Sequence, residues 1–97
     1  MKDLCLVDQQ LYNLIGNEND NQLRKWGVQN HSPFEWLTYT TEELGELACA
    51  ISEAEYRGGL TESVVKEAIQ TATLCLKIAE MYKALSPKPF RLEGLEG

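Results

Sequence analysis

Apolar residues recur along this chain at the three- and four-residue spacing that is typical of α-helices. The first group of them predicts an amphipathic helix. It consists of Leu4, Val7, Leu11 and Leu14. Gly16 and the polar residues at 17–21 weaken the helical pattern and favour a stop. We therefore expect a break there, followed by a short helical piece at 22–26. A single helix that runs through with a kink is the alternative.

A second helix begins with a complete start signal. Ser32 is the expected N-cap, Pro33 takes the first helical position, where its missing N–H costs nothing, and Glu35 completes a capping box. The helix should run to about Tyr56. The glycine pair at 58–59 should end it, because glycine readily adopts the backbone conformation found just past helix ends.

A third helix should start near Thr61 and run to about Leu85, before the Ser-Pro-Lys-Pro sequence at 86–89. A residue that precedes proline is pushed out of helical space, so the helix halts there and residues 86–97 form a C-terminal tail. No stretch of the chain alternates apolar and polar residues as a strand does. The sequence therefore predicts an all-α protein, an antiparallel helical bundle with one domain over 1–97.

Composition narrows the class of protein. The 97 residues suffice for one core, and 9 basic against 15 acidic residues give a net charge of −6. Nucleic acids and anionic membranes both need a basic face, so we expect neither as a partner. No apolar run approaches the roughly 20 residues of a membrane span. The cysteines, Cys5, Cys49 and Cys75, are odd in number and far apart, which predicts buried, reduced thiols in a cytoplasmic protein.

The third helix carries an acid inside its apolar stripe. The stripe has the seven-residue repeat of a helix–helix seam. It comprises Leu60, Val64, Glu67, Thr71, Leu74, Ile78, Met81 and Leu85. An ionised carboxylate buried without a partner costs several kcal/mol, so Glu67 should meet a cation. Gln70, one turn on, offers an amide oxygen nearby. Alternatively, Glu67 is an edge residue of a shorter seam, or pairs with a basic residue across a subunit contact.

The second helix supplies the acidic cluster Glu42, Glu43 and Glu46. At about 100° per residue these acids fall in one arc that borders the apolar face, where their like charges repel. A solvated acidic surface is one explanation. Together with Glu67 on the next helix, however, they would converge between antiparallel helices, which is how helical bundles build metal sites. Hard divalent cations, Mg²⁺ above all, take such oxygen ligands.

Two motifs thus follow one another on neighbouring helices, EExxE at 42–46 and ExxQ at 67–70. They resemble the EExxE and ExxD signature of the all-α NTP pyrophosphatases, a superfamily that includes MazG, the dimeric dUTPases and the dCTP pyrophosphatases. The segment 25–31, together with Trp36, also resembles the lead-in of small MazG-like proteins from phages and mobile elements. The resemblance covers roughly residues 22–83.

The resemblance implies Mg²⁺-dependent cleavage of a nucleoside triphosphate, NTP or dNTP, to the monophosphate and pyrophosphate, with removal of non-standard nucleotides as the inferred role. By residue, it implies that Glu43, Glu46 and Glu67 are metal ligands, with Mn²⁺ as an alternative ion. Glu42 would orient or deprotonate the attacking water, or join the metal shell, so that the catalytic set is Glu42, Glu43 and Glu46. Gln70 stands where the family has Asp, and its amide oxygen coordinates Mg²⁺ more weakly and without charge.

Aromatic, amide and basic residues near the start of the second helix are candidate substrate contacts. They are Lys25, Trp26, Gln29, His31 and Trp36, joined by Lys77 on the third helix. The indoles would stack on a nucleobase, Gln29 would read its edge, and the lysines would meet phosphates. The alternatives are core or lid positions for the indoles, a surface position for His31 and a merely exposed Lys77.

Three helices of this length bury little apolar surface, and the second half of the third helix is apolar nearly all round. We therefore expect a homo-oligomer, a dimer or tetramer, that completes four-helix bundles from two chains. Two other functions stay open. One is a MazG-fold protein that binds nucleotide or metal with little turnover because of Gln70, and the other is a helical oligomerisation or adaptor module.

Overall fold

The computed structural model describes residue 4 and residues 8–85. Three helices make up most of this part of the chain: α1 spans Gln9–Trp26, α2 spans Pro33–Tyr56 and α3 spans Thr61–Leu85. No strand occurs among the described residues. The all-α prediction is therefore confirmed, whereas the predicted proline stop and the tail at 86–97 lie outside the described residues.

The first helix is continuous, so the predicted break at residues 16–21 is wrong and the uninterrupted alternative is right. Asp8 caps α1 by accepting from the backbone N–H of Gln10, and the helix ends at Gly27, which has a φ of 70°. Leu4 lies outside the helix and is exposed, and Val7 lies outside the described residues. A mid-helix glycine such as Gly16 costs only about 1 kcal/mol relative to alanine. Packing of α1 on α3 outweighs that cost.

The start and the end of α2 agree with the sequence prediction. Ser32 Oγ accepts from the Glu35 backbone N–H at 3.2 Å, and the Ser32 backbone N–H donates to Glu35 Oε1 at 2.9 Å. This reciprocal pair is the predicted capping box, with Pro33 at the first helical position. Gly58, in the left-handed region with a φ of 71°, follows the end of the helix. The cap and the turn together fix where α2 begins and where the chain reverses into α3.

Gly59 lies in this reversal at a close approach to α2. A Cβ atom added there would lie 2.8 Å from Glu53 Cβ and 3.0 Å from the Glu53 carbonyl carbon. We therefore expect Gly59→Ala to lower the free energy of unfolding by about 1–3 kcal/mol, as measured by urea denaturation. Gly16→Ala is the matched control: it has open space and should stabilise α1 by up to about 1 kcal/mol. Unchanged stability of Gly59→Ala would contradict this account of the turn.

The third helix lies between the other two and packs against both. Within residues 8–85, the buried apolar side chains are Trp36 on α2, 7% exposed, and Leu74 on α3, 8% exposed. The predicted stripe of α3 faces inward over its middle, where Thr71 and Leu74 are buried, and is exposed at its ends, Leu60 and Leu85. α3 is thus the central support on which side chains of α1 and α2 converge.

The cysteines are not buried as the sequence predicted. Cys49 and Cys75 are free but exposed, and Cys5 lies outside the described residues. Both exposed cysteines lie on helix faces that no other described helix covers, although Leu74, next to Cys75 in the sequence, is buried. In the described part of the chain, no helix combines the length and apolar character needed to cross a membrane.

Candidate functional site

Three of the predicted acids meet at one point between α2 and α3. Glu43 and Glu46 lie one turn apart on α2, and Glu67 lies on the facing part of α3. Each offers a carboxylate oxygen, and these oxygens lie within 4.8 Å of one another, close enough to share one metal ion. Glu42 is not one of this group. The heptad stripe of α3 and the short glycine turn before it bring Glu67 to the α2 acids, as the sequence predicted.

Gln70 connects the carboxylates of the two helices. Oriented with its nitrogen toward them, its side-chain amide donates to Glu67 Oε2 at 3.0 Å and to Glu43 Oε2 at 3.2 Å. Because Gln70 lies within one turn of Glu67, the amide spans the gap between α3 and α2. In this orientation Gln70 holds the carboxylates together by hydrogen bonds, and a half turn of the amide would present its oxygen instead.

Electrostatic crowding is concentrated on Glu43. Burial, followed by the negative charges of Glu46 and Glu67, raises the pKa of the Glu43 carboxyl from 4.5 to about 7. Near neutral pH the site therefore tends to keep one proton in the absence of a cation. A divalent ion held by these carboxylates would offset their mutual repulsion and favour the ionised form of Glu43, so it would compete with the proton for this carboxyl.

A cavity of about 370 Å³ opens beside these acids. Its walls come from α1, α2, α3 and the loop between α1 and α2. The lining residues are Glu18, Gln22, Trp26, Gln29, His31, Tyr39, Glu42, Glu43, Gln70 and Leu74. At the carboxylate cluster the cavity is bordered by Glu42, Glu43 and Gln70. The rest of its wall is mostly aromatic and amide side chains, together with the carboxylate of Glu18. Its volume lies in the range of ordinary small-molecule sites.

A second polar group joins α1 to α3 along the cavity wall. Lys77 Nζ donates to Gln22 Oε1, and Gln22 Nε2 donates to Glu18 Oε2 at 2.7 Å. Lys77 also lies 5.7 Å from the centre of the Trp36 ring. Burial lowers the pKa of the Lys77 ammonium, against the opposing effect of the charges on Glu18 and Glu80. Lys77 is thus fixed by the protein's own groups.

Aromatic rings support the loop that precedes α2. The His31 ring meets the Trp36 ring edge to face with centroids 4.8 Å apart, and it meets the Tyr39 ring in the same way at 5.0 Å. His31 Nδ1 also lies 3.9 Å from a carboxylate oxygen of Glu35, the capping residue of α2. The buried Trp36 therefore anchors His31, which in turn forms part of the cavity wall.

The six predicted substrate contacts are divided between different places. Trp26, Gln29 and His31 line the cavity beside the acids. Trp36 and Lys77 line a neighbouring cavity of about 530 Å³, which is formed by α1, the loop, the start of α2 and the second half of α3 and which Gln29 and His31 also border. Lys25 lines neither cavity; its ammonium lies 4.8 Å from the centre of the Trp26 ring. For Trp36 the structure agrees with the alternative of a core position.

Three residues that line the first cavity were missed in the sequence: Glu18, Gln22 and Tyr39. Tyr39 precedes Glu43 by one helical turn, so the period of α2 carried a signal that places both on one side. Glu18 and Gln22 are four residues apart, the spacing of helix neighbours, but the predicted break at 16–21 places them in different segments. Recognising them required knowing that α1 is continuous.

Searches of protein-family models, of curated proteins and of solved structures found nothing that matches this chain.

Proposed function

We propose that this chain is a Mg²⁺-dependent nucleoside triphosphate pyrophosphohydrolase of the MazG-like type. It would add water across the bond between the α and β phosphates and release the monophosphate and pyrophosphate. The observation that carries the proposal is the meeting of Glu43, Glu46 and Glu67 from two helices beside a cavity with aromatic and amide walls. The motif pair EExxE and ExxQ supports the same conclusion.

The donor set fits a hard divalent cation. The three carboxylates supply oxygen ligands only, and neither sulfur nor imidazole belongs to the cluster. Oxygen ligands of this kind favour Mg²⁺ or Mn²⁺ over zinc or copper. When bound there, such an ion would neutralise the triphosphate and make a bound water more acidic. An acidic protein with a net charge of −6 needs an ion of this sort to accept a polyanion.

The chain's own residues divide the remaining tasks. Glu42 lines the cavity directly beside Glu43, where its carboxylate can accept the proton of an attacking water. Trp26 and His31 offer ring faces and edges to a nucleobase in the same cavity. Gln70 holds the carboxylates of α2 and α3 at a fixed separation.

A second candidate function follows from Gln70. Its amide donates to Glu43 and Glu67, the opposite polarity from the carboxylate that the family's Asp would provide. A protein that binds nucleotide and metal yet turns over slowly is consistent with this geometry. The third candidate, an adaptor whose acids are only surface charge, accounts less well for three carboxylates from two helices that lie within 4.8 Å of one another.

The experiment is a pyrophosphate-release assay over ribo- and deoxynucleoside triphosphates, with and without Mg²⁺. The proposal predicts that at least one substrate yields monophosphate and pyrophosphate in equal amounts when Mg²⁺ is present, and that no substrate does so without Mg²⁺. Release of orthophosphate, or no product at all, would overturn it. In the latter case, a melting temperature raised by Mg²⁺ plus nucleotide would favour the binding protein, and an unchanged one the adaptor.

We further propose that the chain assembles into a homo-oligomer. Leu37, Leu44 and Ile51 follow each other at seven-residue intervals along α2, and each is 45–54% exposed. This outward stripe matches the seam of a helix–helix interface. On α3, Leu76 and Tyr82 are also about half exposed. A second copy that packs helix to helix would cover these side chains and complete the bundle.

Ile51→Lys tests this interface with little effect on the isolated chain, since Ile51 is already half exposed. We expect light scattering at micromolar concentration to give a dimer or tetramer for the wild type and a smaller species for Ile51→Lys, because a lysine ammonium in an apolar seam is costly. Val28→Lys, on an exposed loop position, is the control and should leave the mass unchanged. A monomeric wild type would refute the proposal.

A further inference from the structure

A directed chain of hydrogen bonds reaches the cavity from α3. Lys77 Nζ donates to Gln22 Oε1, and Gln22 Nε2 donates to Glu18 Oε2 at 2.7 Å. An ammonium group can only donate, so it fixes which end of the Gln22 amide faces Glu18. Gln22 is 8% exposed and therefore has little freedom to turn. Gln22 therefore holds the Glu18 carboxylate in place, and Lys77 holds Gln22.

Glu18 shares its cavity with the carboxylate cluster and with the rings that we assign to the base. Glu43 and Gln70 line this cavity from α2 and α3, and Glu18, Gln22 and Trp26 line it from α1. The wall formed by α2 and α3 is therefore the phosphate and metal side of the cavity. Glu18 belongs to the α1 wall, where the Trp26 ring would hold the base.

The Glu18 carboxylate is a hydrogen-bond acceptor only, with about four lone-pair sites on its two oxygens. Gln22 occupies one of them. The remaining lone-pair sites need hydrogen-bond donors from a bound base. A base that placed an acceptor there would repel the carboxylate and would also displace the water that hydrates it. An exocyclic amino group offers such a donor. The imide N–H of uracil or thymine lies between two carbonyl oxygens, which would repel the second carboxylate oxygen.

We propose that Glu18 accepts a hydrogen bond from the exocyclic amino group of the substrate's base. The preferred substrates are then triphosphates of amino-bearing bases, cytosine, adenine or guanine, over their oxo counterparts uracil, thymine and hypoxanthine. This inference rests on the proposed function, since it places the phosphates at the carboxylate cluster. Lys77 and Gln22 act as positioning residues for Glu18.

The test compares bases that differ by the amino group: CTP with UTP, and GTP with inosine triphosphate. A hydrogen bond to a charged group corresponds to about a tenfold or larger preference in kcat/KM for at least one amino-bearing member. Glu18→Gln should bring that ratio close to one, because a side-chain amide can turn either its donor or its acceptor to the base. Equal kcat/KM values within both pairs in the wild type would overturn the proposal.

Glu80→Gln is the matched control. Glu80 also acts electrostatically on Lys77, but it lines the neighbouring cavity and not the one that contains Glu18. It should keep the wild-type preference between paired substrates. If Glu80→Gln erases the preference as Glu18→Gln does, the effect comes from the charge on Lys77 and the direct contact is refuted.

Monophosphate binding in the presence of Mg²⁺, measured by calorimetry for CMP with UMP and for GMP with inosine monophosphate, separates this inference from the proposed function. Tighter binding of an amino-bearing member that is lost in Glu18→Gln supports the amino contact even if no triphosphate is hydrolysed. Equal binding within both pairs refutes the contact even if pyrophosphate is released. Failure of the reaction and failure of base recognition thus give different results.

Discussion

Glu46→Gln is expected to lower magnesium-dependent pyrophosphate release by about 100-fold or more, because losing a ligand of the ion forfeits several kcal/mol of transition-state stabilisation. Glu46 is the exposed member of the carboxylate cluster. The substitution is nearly isosteric and removes a charge that repels Glu43, so the metal-free variant should melt no lower than the wild type. The rate and the Mg²⁺ concentration at half-maximal rate are the quantities to measure.

Glu55→Gln is the matched control for this experiment. Glu55 is an exposed acid on the same helix, nine residues from Glu46 and hence about 180° away around the axis. It removes the same charge from α2 without touching the cluster, so its rate should equal that of the wild type. Equal loss of activity in both variants would mean that net charge, and not ligation, controls the rate. An active Glu46→Gln would contradict the assigned role.

Glu43→Gln should have opposite effects on the metal-free and the metal-bound protein. The raised pKa of Glu43, about 7 against 4.5, means that the folded state binds the proton more tightly than the unfolded state. Wild-type stability without metal should therefore fall as the pH rises from about 4.5 to 7 and level off above that. Allowing for solvent screening at this partly exposed site, the fall due to Glu43 is about 1–2 kcal/mol.

In Glu43→Gln this contribution to the pH dependence disappears, because an amide does not titrate. At pH 8 in the presence of a chelator, the variant should be more stable than the wild type by about the same 1–2 kcal/mol, since an uncharged amide avoids both the cost of burying a charge and the repulsion from Glu46 and Glu67. Added Mg²⁺ should stabilise the wild type and have much less effect on the variant. Urea denaturation of both proteins at pH 5 and pH 8, with and without Mg²⁺, gives the free energies of unfolding that test these expectations. A variant less stable than the wild type at pH 8 without metal would show that the crowding is not real.

The parts of the structure that the sequence predicted well depend on local signals. The cap formed by Ser32 and Glu35 needs only residues three apart. The end of α2 and the start of α3 follow from the glycines at 58–59 and from the helical period. The meeting of Glu43, Glu46 and Glu67 needs one further element, the short turn at 57–60 that forces α3 back along α2. With the turn and the period known, the contact between the two helices is nearly determined.

The parts that were wrong or missed depend on how α1 packs on α3. The helix continues through Gly16 because tertiary contacts outweigh local propensity, and sequence spacing does not reveal those contacts. The partnership of Gln22 with Lys77, 55 residues away, has no signal in either segment. Cys49 and Cys75 are exposed because too few helices cover their faces. The apolar residues around a cysteine in the sequence do not reveal how many helices cover it.

The central claim is that Glu43, Glu46 and Glu67 jointly hold a divalent cation. Anomalous X-ray scattering from crystals grown with Mn²⁺ at pH 8 tests it most directly, because Mn²⁺ accepts the same oxygen ligands as Mg²⁺ and is visible by itself. The account predicts an anomalous peak between α2 and α3, with carboxylate oxygens of all three residues at about 2.0–2.3 Å. Fully occupied Mn²⁺ elsewhere, with these three carboxylates bound to water alone, would contradict it.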